Sequence, residues 1–384
     1  MSAERVSPAP ERAAGAGRTG AAEPADGATE PADGAVRVVE ETLQGYHHVT
    51  HVISLPGVAA DGRRLRGKVR EPRSNLLWFD RRCFLSEEQL LADLQGRVTW
   101  IPELITAGDM RLQRFIEGRT LGARHRSGQH VPDELVDQIL ELFGELLAIT
   151  AKTLPTKRRC EPEDRATDPD SSEFLERLIA FAEDRVYRDN LADFASLFHA
   201  LGVEADSFKR LRKNVSDLTE RPFCLLHADL HRENLVLDPD GRLWTIDWEL
   251  AMFGDPLYDL ATHLYLMRYP REQQNSLAER WSSLAEKIRP GSAKNWEQDL
   301  PKIMDFKRAQ SVFTDSIRAT QILVSGTRFN WTQLYREASK VHKALVGAED
   351  PLGLADVPTI RDVMKALVRW HREQGGRKRE IPFS

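Results

Sequence analysis

The sequence predicts an α+β protein in two parts, a small sheet-based N-terminal part and a larger, mainly helical C-terminal part. Strand-like segments fill much of the chain between residues 36 and 116, and helical periodicity dominates from about residue 132. The chain has 384 residues, of which 41% are hydrophobic and 29% are charged. This length and composition are sufficient for a two-lobed globular protein with a sizeable core.

The N-terminal part contains several strand-like stretches and one helix. The stretches lie at 36–40, 43–53, 64–71, 101–105 and 111–116. Ser86 precedes a segment with helical periodicity that ends at Leu94, and Gln89 completes a capping-box pattern with Ser86. We therefore expect a helix that begins directly after Ser86.

In the C-terminal part, apolar side chains recur at helical spacing. Leu135, Ile139, Leu142 and Leu146 form one stripe between residues 132 and 150. Further helices are expected at 173–188, 191–200, 205–217, 258–267, 271–288 and from 296 onward. The large aromatic side chains of the last region are expected in the core rather than on a binding surface: Trp296, Phe306, Phe313, Trp331 and Trp370.

Residues 226–260 carry the strongest chemical signal. His227, Asp229 and Asn234 form the pattern H-x-D-x-x-x-x-N, and Asp247 follows thirteen residues after Asn234. Between them, two short apolar runs flank the turn Asp238-Pro239-Asp240-Gly241. This layout predicts a loop, a β-hairpin, and a carboxylate just past the second strand.

These residue types suit phosphoryl transfer, which depends on positioning the acceptor hydroxyl and on neutralising phosphate charge. Asp229 can orient a hydroxyl and accept its proton. The amide oxygen of Asn234 and the carboxylate of Asp247 suit Mg²⁺, a hard cation that prefers oxygen ligands. Because the hairpin returns the chain, we expect Asp247 to arrive beside Asn234.

A third motif follows at 254–261, with the sequence G-D-P-L-Y-D-L-A. Together the three motifs resemble the core of the aminoglycoside phosphotransferase and choline kinase superfamily, the small-molecule relatives of protein kinases. The resemblance implies a bilobal protein-kinase-like α+β fold. The N-lobe, at 36–116, would hold a small antiparallel sheet and bind nucleotide, and the mostly helical C-lobe, at 119–384, would be catalytic and bind the acceptor.

The resemblance also implies roles for the matching residues. Asp229 corresponds to the catalytic base, and His227 to a scaffold residue of the same catalytic loop. Asn234 and Asp247 correspond to ligands of Mg²⁺, and the phosphate donor would be ATP or GTP.

Two carboxylates of the third motif correspond to supporting positions. Asp259 matches a buried carboxylate that braces the backbone of the loop, and Asp255 matches a position with a structural role. Glu249, two residues after Asp247, faces the acceptor region by analogy and is the candidate substrate residue.

The resemblance requires a cation for the nucleotide phosphates and a carboxylate that holds this cation. Arg66, Lys68 and Arg70 share one face of the second strand by the period of two. Arg70 fits the family pattern best, with Lys68 as the alternative. Glu87 is the candidate carboxylate, although an acid in the first turn of a helix is also favoured by the helix dipole.

The nucleobase would be held by backbone groups of a hinge. Residues 113–118 resemble that hinge, and we place its contacts near Arg114 and Ile116. The loop that covers the phosphates in this family is glycine-rich, whereas this chain has only Gly45 in that region.

The acceptor is not determined by the sequence. A hydroxyl-bearing small molecule, such as an antibiotic or an aminoglycoside-like metabolite, is the first hypothesis. A Ser or Thr side chain of a peptide in natural-product biosynthesis is the second. A nucleotide-binding scaffold without catalysis is the third, and the intact Asp229, Asn234 and Asp247 argue against it.

Composition excludes several other classes of function. The net charge of −5 gives no overall basic field for nucleic acid or anionic membranes, and no apolar run is long enough to span a bilayer. The three cysteines, Cys83, Cys160 and Cys224, have no metal-binding spacing and predict a reducing cytoplasm. Residues 1–35 are rich in Ala, Gly, Pro and acids, and they are expected to be disordered.

Overall fold

The computed structural model describes residues 39–44, 48–58, 64–72, 79–107, 110–325 and 328–380. The predicted disordered tail at 1–35 and the Gly45 position lie outside the described residues. The chain divides into two compact units. The first unit comprises residues 1–76 and 102–117, and the second comprises residues 77–101 and 118–384.

This division differs in one segment from the boundaries expected from the sequence. Residues 77–101, which the predicted N-lobe at 36–116 included, belong to the second unit. The reason is local packing, because Glu87 in this segment accepts a hydrogen bond from Trp248 and the carbonyl of Trp100 accepts one from Thr245.

The first unit is built on a five-stranded antiparallel sheet with strand order β1-β2-β3-β5-β4. The strands are β1 (Val39–Gln44), β2 (His48–Val58), β3 (Arg64–Pro72), β4 (Leu104–Ala107) and β5 (Met110–Arg114). Val52 and Leu112 are buried, and Gly67 lies so close to Leu112 that an added Cβ would be 3.2 Å from one of its methyl groups. The predicted antiparallel sheet is confirmed.

The second unit is mainly helical. Its helices are α1 (Glu87–Leu94), α2 (Leu121–Arg124), α3 (Asp133–Leu147), α4 (Ser171–Phe181), α5 (Leu191–Ala200), α6 (Ser207–Asn214), α7 (Pro256–Met267), α8 (Arg271–Ile288), α9 (Trp296–Leu323), α10 (Leu334–Gly347), α11 (Glu349–Leu352) and α12 (Ile360–Glu380). Helix α1 begins as predicted, because Ser86 Oγ accepts a hydrogen bond from the amide of Gln89.

Short strands complete the second unit. They are β6 (Arg119–Thr120), β7 (Cys224–Leu226), β8 (Leu235–Leu237), β9 (Leu243–Thr245), β10 (Met252–Gly254), β11 (Val324–Ser325) and β12 (Arg328–Phe329). Strands β8 and β9 form the predicted hairpin, and Asp238 stabilises its turn by accepting hydrogen bonds from the amides of Asp240 and Arg242. The hairpin thereby brings the residue after β9 back to the loop before β8.

The core of the second unit lies around α7 and α9, which pack against each other. Tyr187, Phe198, Phe208 and Phe313 form an aromatic cluster with ring centroids 4.9–5.7 Å apart. Within the described ranges, no helix has the length and apolar content that crossing a membrane requires.

One sequence-based expectation in this unit is wrong. Trp331 is 61% exposed rather than in the core, because it lies in the turn between β12 and α10, where its ring packs at 4.7 Å from the ring of Phe329. The helix expected at 173–188 is present, and its geometry changes within it, since α4 ends at Phe181 and a π-helical turn follows at Ala182–Tyr187. In that turn the buried Glu183 pairs with Arg188 and Arg212.

Candidate functional site

The loop between β7 and β8, residues 227–234, is held by a single buried carboxylate. Asp259 on α7 accepts hydrogen bonds from the amide of His227 at 3.0 Å and from the amide of Ala228 at 2.7 Å. Ala228 has a φ of 62°, in the left-handed region that costs a residue with a side chain conformational energy. Burial raises the pKa of Asp259 to about 6. Asp259 therefore fixes an otherwise unfavourable turn at the start of this loop.

His227 connects the loop to the hairpin. Its Nδ1 accepts a hydrogen bond from the amide of Asp229 at 3.3 Å, and its Nε2 donates to the carbonyl of Ile246 at 3.2 Å. These two bonds are compatible only with a neutral ring protonated at Nε2, and burial lowers the pKa of His227 accordingly. The ring also contacts Trp248, with 4.7 Å between centroids. His227 thus fixes where the chain approaches Asp247.

Asn234 and Asp229, predicted to act together, are in direct contact. Asn234 Nδ2 donates to the carbonyl of Asp229 at 2.9 Å and to Asp229 Oδ2 at 3.2 Å. His231 Nε2 lies 3.4 Å from the same carboxylate oxygen. Because the amide nitrogen of Asn234 is committed to Asp229, its Oδ1 is the atom that can ligate a cation.

Asp247 is linked to the loop through the backbone. The amide of Ile246 donates to the carbonyl of Asn234 at 2.9 Å, so the chain enters Asp247 next to Asn234. Asp247 itself has φ 67° and ψ 64°, a left-handed conformation that Asp tolerates better than most residues. An amide oxygen and a carboxylate held on adjacent segments of the chain form a donor set that fits Mg²⁺.

Glu87 belongs to this same region of the second unit. Its Oε1 accepts a hydrogen bond of 2.9 Å from the amide of Trp248, the residue after Asp247. This contact joins α1 to the hairpin end across 161 residues of sequence. The sequence had suggested Glu87 as the partner of a phosphate-binding cation, and this contact with the backbone was not foreseen.

The three basic residues considered for the phosphates, Arg66, Lys68 and Arg70, lie on β3 in the first unit. Arg66 Nε donates to Glu117 at 2.6 Å, Nη1 lies 3.3 Å from Glu40, and the guanidinium stacks 4.6 Å from the ring centre of Phe115. Arg66 is therefore engaged in structural contacts. Lys68 and Arg70 are half-buried on the same strand and remain the two candidates for the phosphate cation.

The segment predicted to be the hinge also lies in the first unit. The amide of Arg114 donates to the carbonyl of Glu103 at 2.8 Å, and the amide of Phe115 donates to the carbonyl of Arg66 at 2.8 Å. For the backbone amide of Ile116, no partner occurs among the residues that the structure describes. Ile116 is therefore the better candidate of the two predicted positions.

Asp255, for which a structural role was expected, has partners that the sequence did not indicate. Arg221, which is fully buried, forms a bidentate pair with Asp255 at 2.8–3.0 Å and contacts Asp299 at 2.8 Å. Asp255 Oδ1 also accepts from the amide of Leu257 and so caps α7. This cluster anchors the helix that carries Asp259.

Glu249, the candidate substrate residue, is ion-paired. Its Oε2 lies 2.5 Å from Arg82 Nη1, and both side chains are mostly buried. On α9, Lys307 Nζ donates to the hydroxyl of Tyr258 at 3.2 Å and to Gln310 Oε1 at 2.8 Å. Lys307 was missed by sequence reasoning, because a single lysine in a helical stripe gives no signal.

Comparison with known families identifies the family of the chain and its fold. Residues 82–295 match the model of the phosphotransferase enzyme family, and this segment is more than half of the chain. It contains all three motifs from His227 to Ala261.

Individual relatives match shorter segments. Acyl-CoA dehydrogenase family member 11 of Mus musculus is 43% identical over 61 residues, which are 15% of this chain and 8% of that protein. Protein LicA of Haemophilus influenzae is 32% identical over 125 residues, which are 30% of this chain and 35% of that protein. The chain thus spans well under half of either curated relative.

A solved structure from Ralstonia eutropha is provisionally assigned as an aminoglycoside phosphotransferase, and its alignment covers 84% of this chain and 94% of that protein's chain. It has a TM-score of 0.54 and 14% identity. That likeness confirms the predicted protein-kinase-like fold class.

Proposed function

Because this chain belongs to the phosphotransferase enzyme family and acts on hydroxyl groups, we propose that it transfers the γ-phosphoryl group of ATP or GTP to a small molecule with the help of Mg²⁺. One observation carries the proposal. The side chain of Asn234 is hydrogen-bonded to Asp229, and its backbone carbonyl is hydrogen-bonded to the amide of Ile246. Asn234 therefore links the proposed base to the segment that carries the proposed metal-binding carboxylate.

Each residue of this group has a defined task. Asp229 orients the acceptor hydroxyl and accepts its proton. Asn234 Oδ1 and the carboxylate of Asp247 hold the cation, which, when bound, neutralises charge on the phosphates. His227 and Asp259 hold the loop in place and do not take part in proton transfer.

The residues proposed to contact the nucleotide are those that the family resemblance implies. Arg70 or Lys68 would contact the phosphates, and the backbone near Arg114 and Ile116 would contact the base. Glu87 was predicted to hold the phosphate-binding cation, and it also has a second task. Its hydrogen bond to the amide of Trp248 steadies the residue beside Asp247.

The acceptor that we propose is a hydroxylated antibiotic or aminoglycoside-like metabolite, with Glu249 contacting it. The motif resemblance supports this choice. A Ser or Thr hydroxyl of a peptide is the alternative acceptor.

The test is a mass-gain assay with the purified full-length protein, Mg²⁺, and ATP or GTP. A panel of aminoglycosides, other hydroxylated metabolites and Ser/Thr peptides is screened for the addition of one phosphate. We expect a gain on a small molecule that is reduced by at least about 10²-fold in Asp229→Asn and in Asp247→Asn. Asp240→Asn, at an exposed position in the turn of the same hairpin, is the matched control and should behave as wild type.

Two outcomes would count against the proposal. Full transfer by Asp229→Asn would remove the proposed base from the mechanism. The second outcome is a rise in melting temperature on addition of nucleotide, with no phosphate transfer to any compound and no slow hydrolysis of the nucleotide. It would instead favour a scaffold that binds nucleotide without catalysis.

A further inference from the structure

A cavity of about 80 Å³ lies in the second unit, between the segment before α1, the irregular segment before α4 and strand β10. The first two segments are joined, because the amide of Arg159 donates to the carbonyl of Cys83 at 3.0 Å and Phe84 forms an isolated β-bridge with Arg158. A single buried water needs only about 10–15 Å³. The cavity therefore has room for an ion of several heavy atoms.

Three arginines line this cavity, and two of them are held by neutral groups of other lining residues. Arg165 Nε and Nη2 donate to the carbonyl of Cys160 at 3.2 and 2.6 Å. The guanidinium of Arg158 lies over the ring of Phe253, 4.7 Å from its centre. These contacts hold both guanidinium groups against the wall of the cavity without neutralising their charge.

Arg81, the third arginine, has a hydrogen-bond donor without an acceptor. Its Nη1 donates to the carbonyl of Asp164 at 2.6 Å, and Asp164 also lines the cavity. Its Nε is buried and has no hydrogen-bond partner among the residues that the structure describes. Because a buried N–H of a charged group is costly to leave unpaired, this atom indicates an acceptor that the chain itself does not supply.

The positive charge of the three arginines is not balanced by carboxylates. Within the described ranges, none of the three forms an ion pair, and their contacts are with carbonyls and a ring. Two carboxylates, Asp164 and Asp168, belong to the lining, but both residues are exposed. Asp168 Oδ1 already accepts a hydrogen bond of 2.9 Å from the amide of Phe223. The interior of the cavity is therefore left with excess positive charge.

The ionisation of Arg158 agrees with this charge distribution. Burial lowers the pKa of its guanidinium, and the positive charge of Arg165 lowers it further, against the opposing effect of Cys83 and Cys160. The two arginines thus repel each other across the cavity wall, and a negative ion between them would relieve that repulsion.

We propose that this cavity is a binding site for a small oxyanion of the phosphate type. Guanidinium groups bind phosphate oxygens through paired N–H donors, and a doubly charged ion matches several cations better than a single carboxylate does. Phe84 and Phe253, whose ring centroids are 5.8 Å apart, close one side with apolar surface. The exposed Asp164 and Asp168 mark the side that is open to solvent. All lining residues lie outside the loop 227–234, so this site is separate from the proposed catalytic residues.

The first test locates bound phosphate residue by residue. The native, full-length protein is treated with phenylglyoxal, which modifies guanidinium groups, with inorganic phosphate or with chloride at the same ionic strength. Peptide mass mapping gives the modification rate of each arginine. With phosphate at about ten times its Kd, we expect the rates at Arg158 and Arg165 to fall about tenfold by mass action. Arg159, their exposed neighbour, is the internal control and should react at an unchanged rate.

This measurement distinguishes the cavity from phosphate bound at the proposed catalytic residues, because each protected arginine is identified. Glycerol 3-phosphate is the second probe. Protection at a lower concentration of this ester than of inorganic phosphate would assign the site to the phosphate group of a metabolite. The reverse order would assign it to the free ion.

Variants test the contribution of single charges, with the protection of Arg165 as the readout of affinity. Arg158→Gln should weaken phosphate binding about tenfold or more, since a hydrogen bond to a charged group is lost. Arg159→Gln is the matched control and should bind phosphate as wild type does. Asp164→Asn removes a carboxylate from the rim and should strengthen binding. Thermal unfolding of each variant distinguishes loss of the site from loss of the fold.

Three results would overturn the proposal. The first is that phosphate protects neither Arg158 nor Arg165 in the wild-type protein, a result that needs no variant. The second is equal protection by chloride at the same ionic strength, which would leave only a non-selective positive region. The third is an unchanged phosphate affinity in a folded Arg158→Gln variant.

Discussion

Asp255 and Asp259 lie one helical turn apart at the start of α7, and they are buried to nearly the same degree, at 1% and 2% exposure. Asp255 faces the guanidinium of Arg221, whereas Asp259 faces two backbone amides of the catalytic loop. The first carboxylate is hydrogen-bonded by a fully charged group, whereas the second is hydrogen-bonded by backbone dipoles. The comparison shows how one short motif supplies both an anchor for a helix and a clamp for a catalytic loop.

The difference is visible in how the two groups respond to protons. Desolvation raises the pKa of Asp259 to about 6 against the opposing effects of its two backbone hydrogen bonds and of Lys307, so the clamp holds a proton more readily than an ordinary carboxyl group. Its titration therefore stabilises the fold below pH 3.8, and this contribution is lost as the pH rises through about 6. The loop position is thus maintained at neutral pH at some cost in stability.

The largest expected effect comes from removing the anchor. Asp255→Ala leaves the fully buried Arg221 with only Asp299 as its carboxylate partner, and breaking a buried pair costs about 3–5 kcal/mol. Urea unfolding followed by circular dichroism measures the loss. Asp206→Ala breaks an exposed pair with Arg210 and should cost less than about 1 kcal/mol. Equal losses in the two variants would show that Asp255 is not an anchor.

Removing the clamp should affect catalysis more than folding. In Asp259→Asn, one carboxylate oxygen becomes an NH₂ group that faces a backbone N–H, so one of the two hydrogen bonds is lost. We expect a loss of stability of about 1–3 kcal/mol and a displaced Asp229, with kcat lower by about 10²-fold. Steady-state kinetics with the acceptor found in the mass-gain assay, at saturating nucleotide, measures the change. A normal kcat would mean that the loop keeps its position without the clamp.

The parts of this arrangement that the sequence predicted are those that depend on near neighbours in the chain. Ser86 as a cap, the turn at Asp238 and the alternation of β3 are local patterns with a direct physical cause. Asp259 was assigned as a clamp only through the motif it shares with a family. Arg221 was not foreseen, because its partners are 34 and 78 residues away and a buried arginine has no local signature.

The same limitation explains the less accurate assignments. Glu87 was predicted to hold a phosphate-binding cation, whereas its bond to the amide of Trp248 was not foreseen because it depends on how α1 packs against the hairpin end. Trp331 was expected in the core from its residue type alone, whereas its exposure follows from a position in a turn.

A smaller effect concerns the other side of the clamped loop, where His263 is fully buried. Its Nδ1 and Nε2 form hydrogen bonds with the carbonyl of Leu230 and the hydroxyl of Tyr269, at 2.8 and 2.9 Å. Burial lowers the pKa of His263 to about 3, so its contribution to stability is present above pH 6.5 and is lost as the pH falls.

Between pH 6.5 and 5, this single group should cost the fold about 2 kcal/mol. The measurement is the free energy of unfolding at several pH values for wild type and for His263→Gln, which should show a shallower dependence. His199→Gln, at an exposed position of α5, is the control and should keep the wild-type slope. Protonation of Asp259 below about pH 6 changes the free energy of unfolding in the opposite direction. The contribution of His263 is therefore obtained from the difference between the wild-type and His263→Gln curves, and not from the wild-type curve alone.

The smallest effect tests whether Glu249 meets the acceptor. Its pair with Arg82 is mostly buried, and Glu249→Gln should cost about 1 kcal/mol of stability. A contact between Glu249 and a cationic group of the acceptor would raise the KM for aminated acceptors about tenfold and leave kcat unchanged, because such binding is equal in the ground and transition states. Arg82→Gln removes the same ion pair but keeps the carboxylate, so it should not raise that KM. An equal rise in both variants would assign Glu249 to the support of the hairpin end rather than to the acceptor.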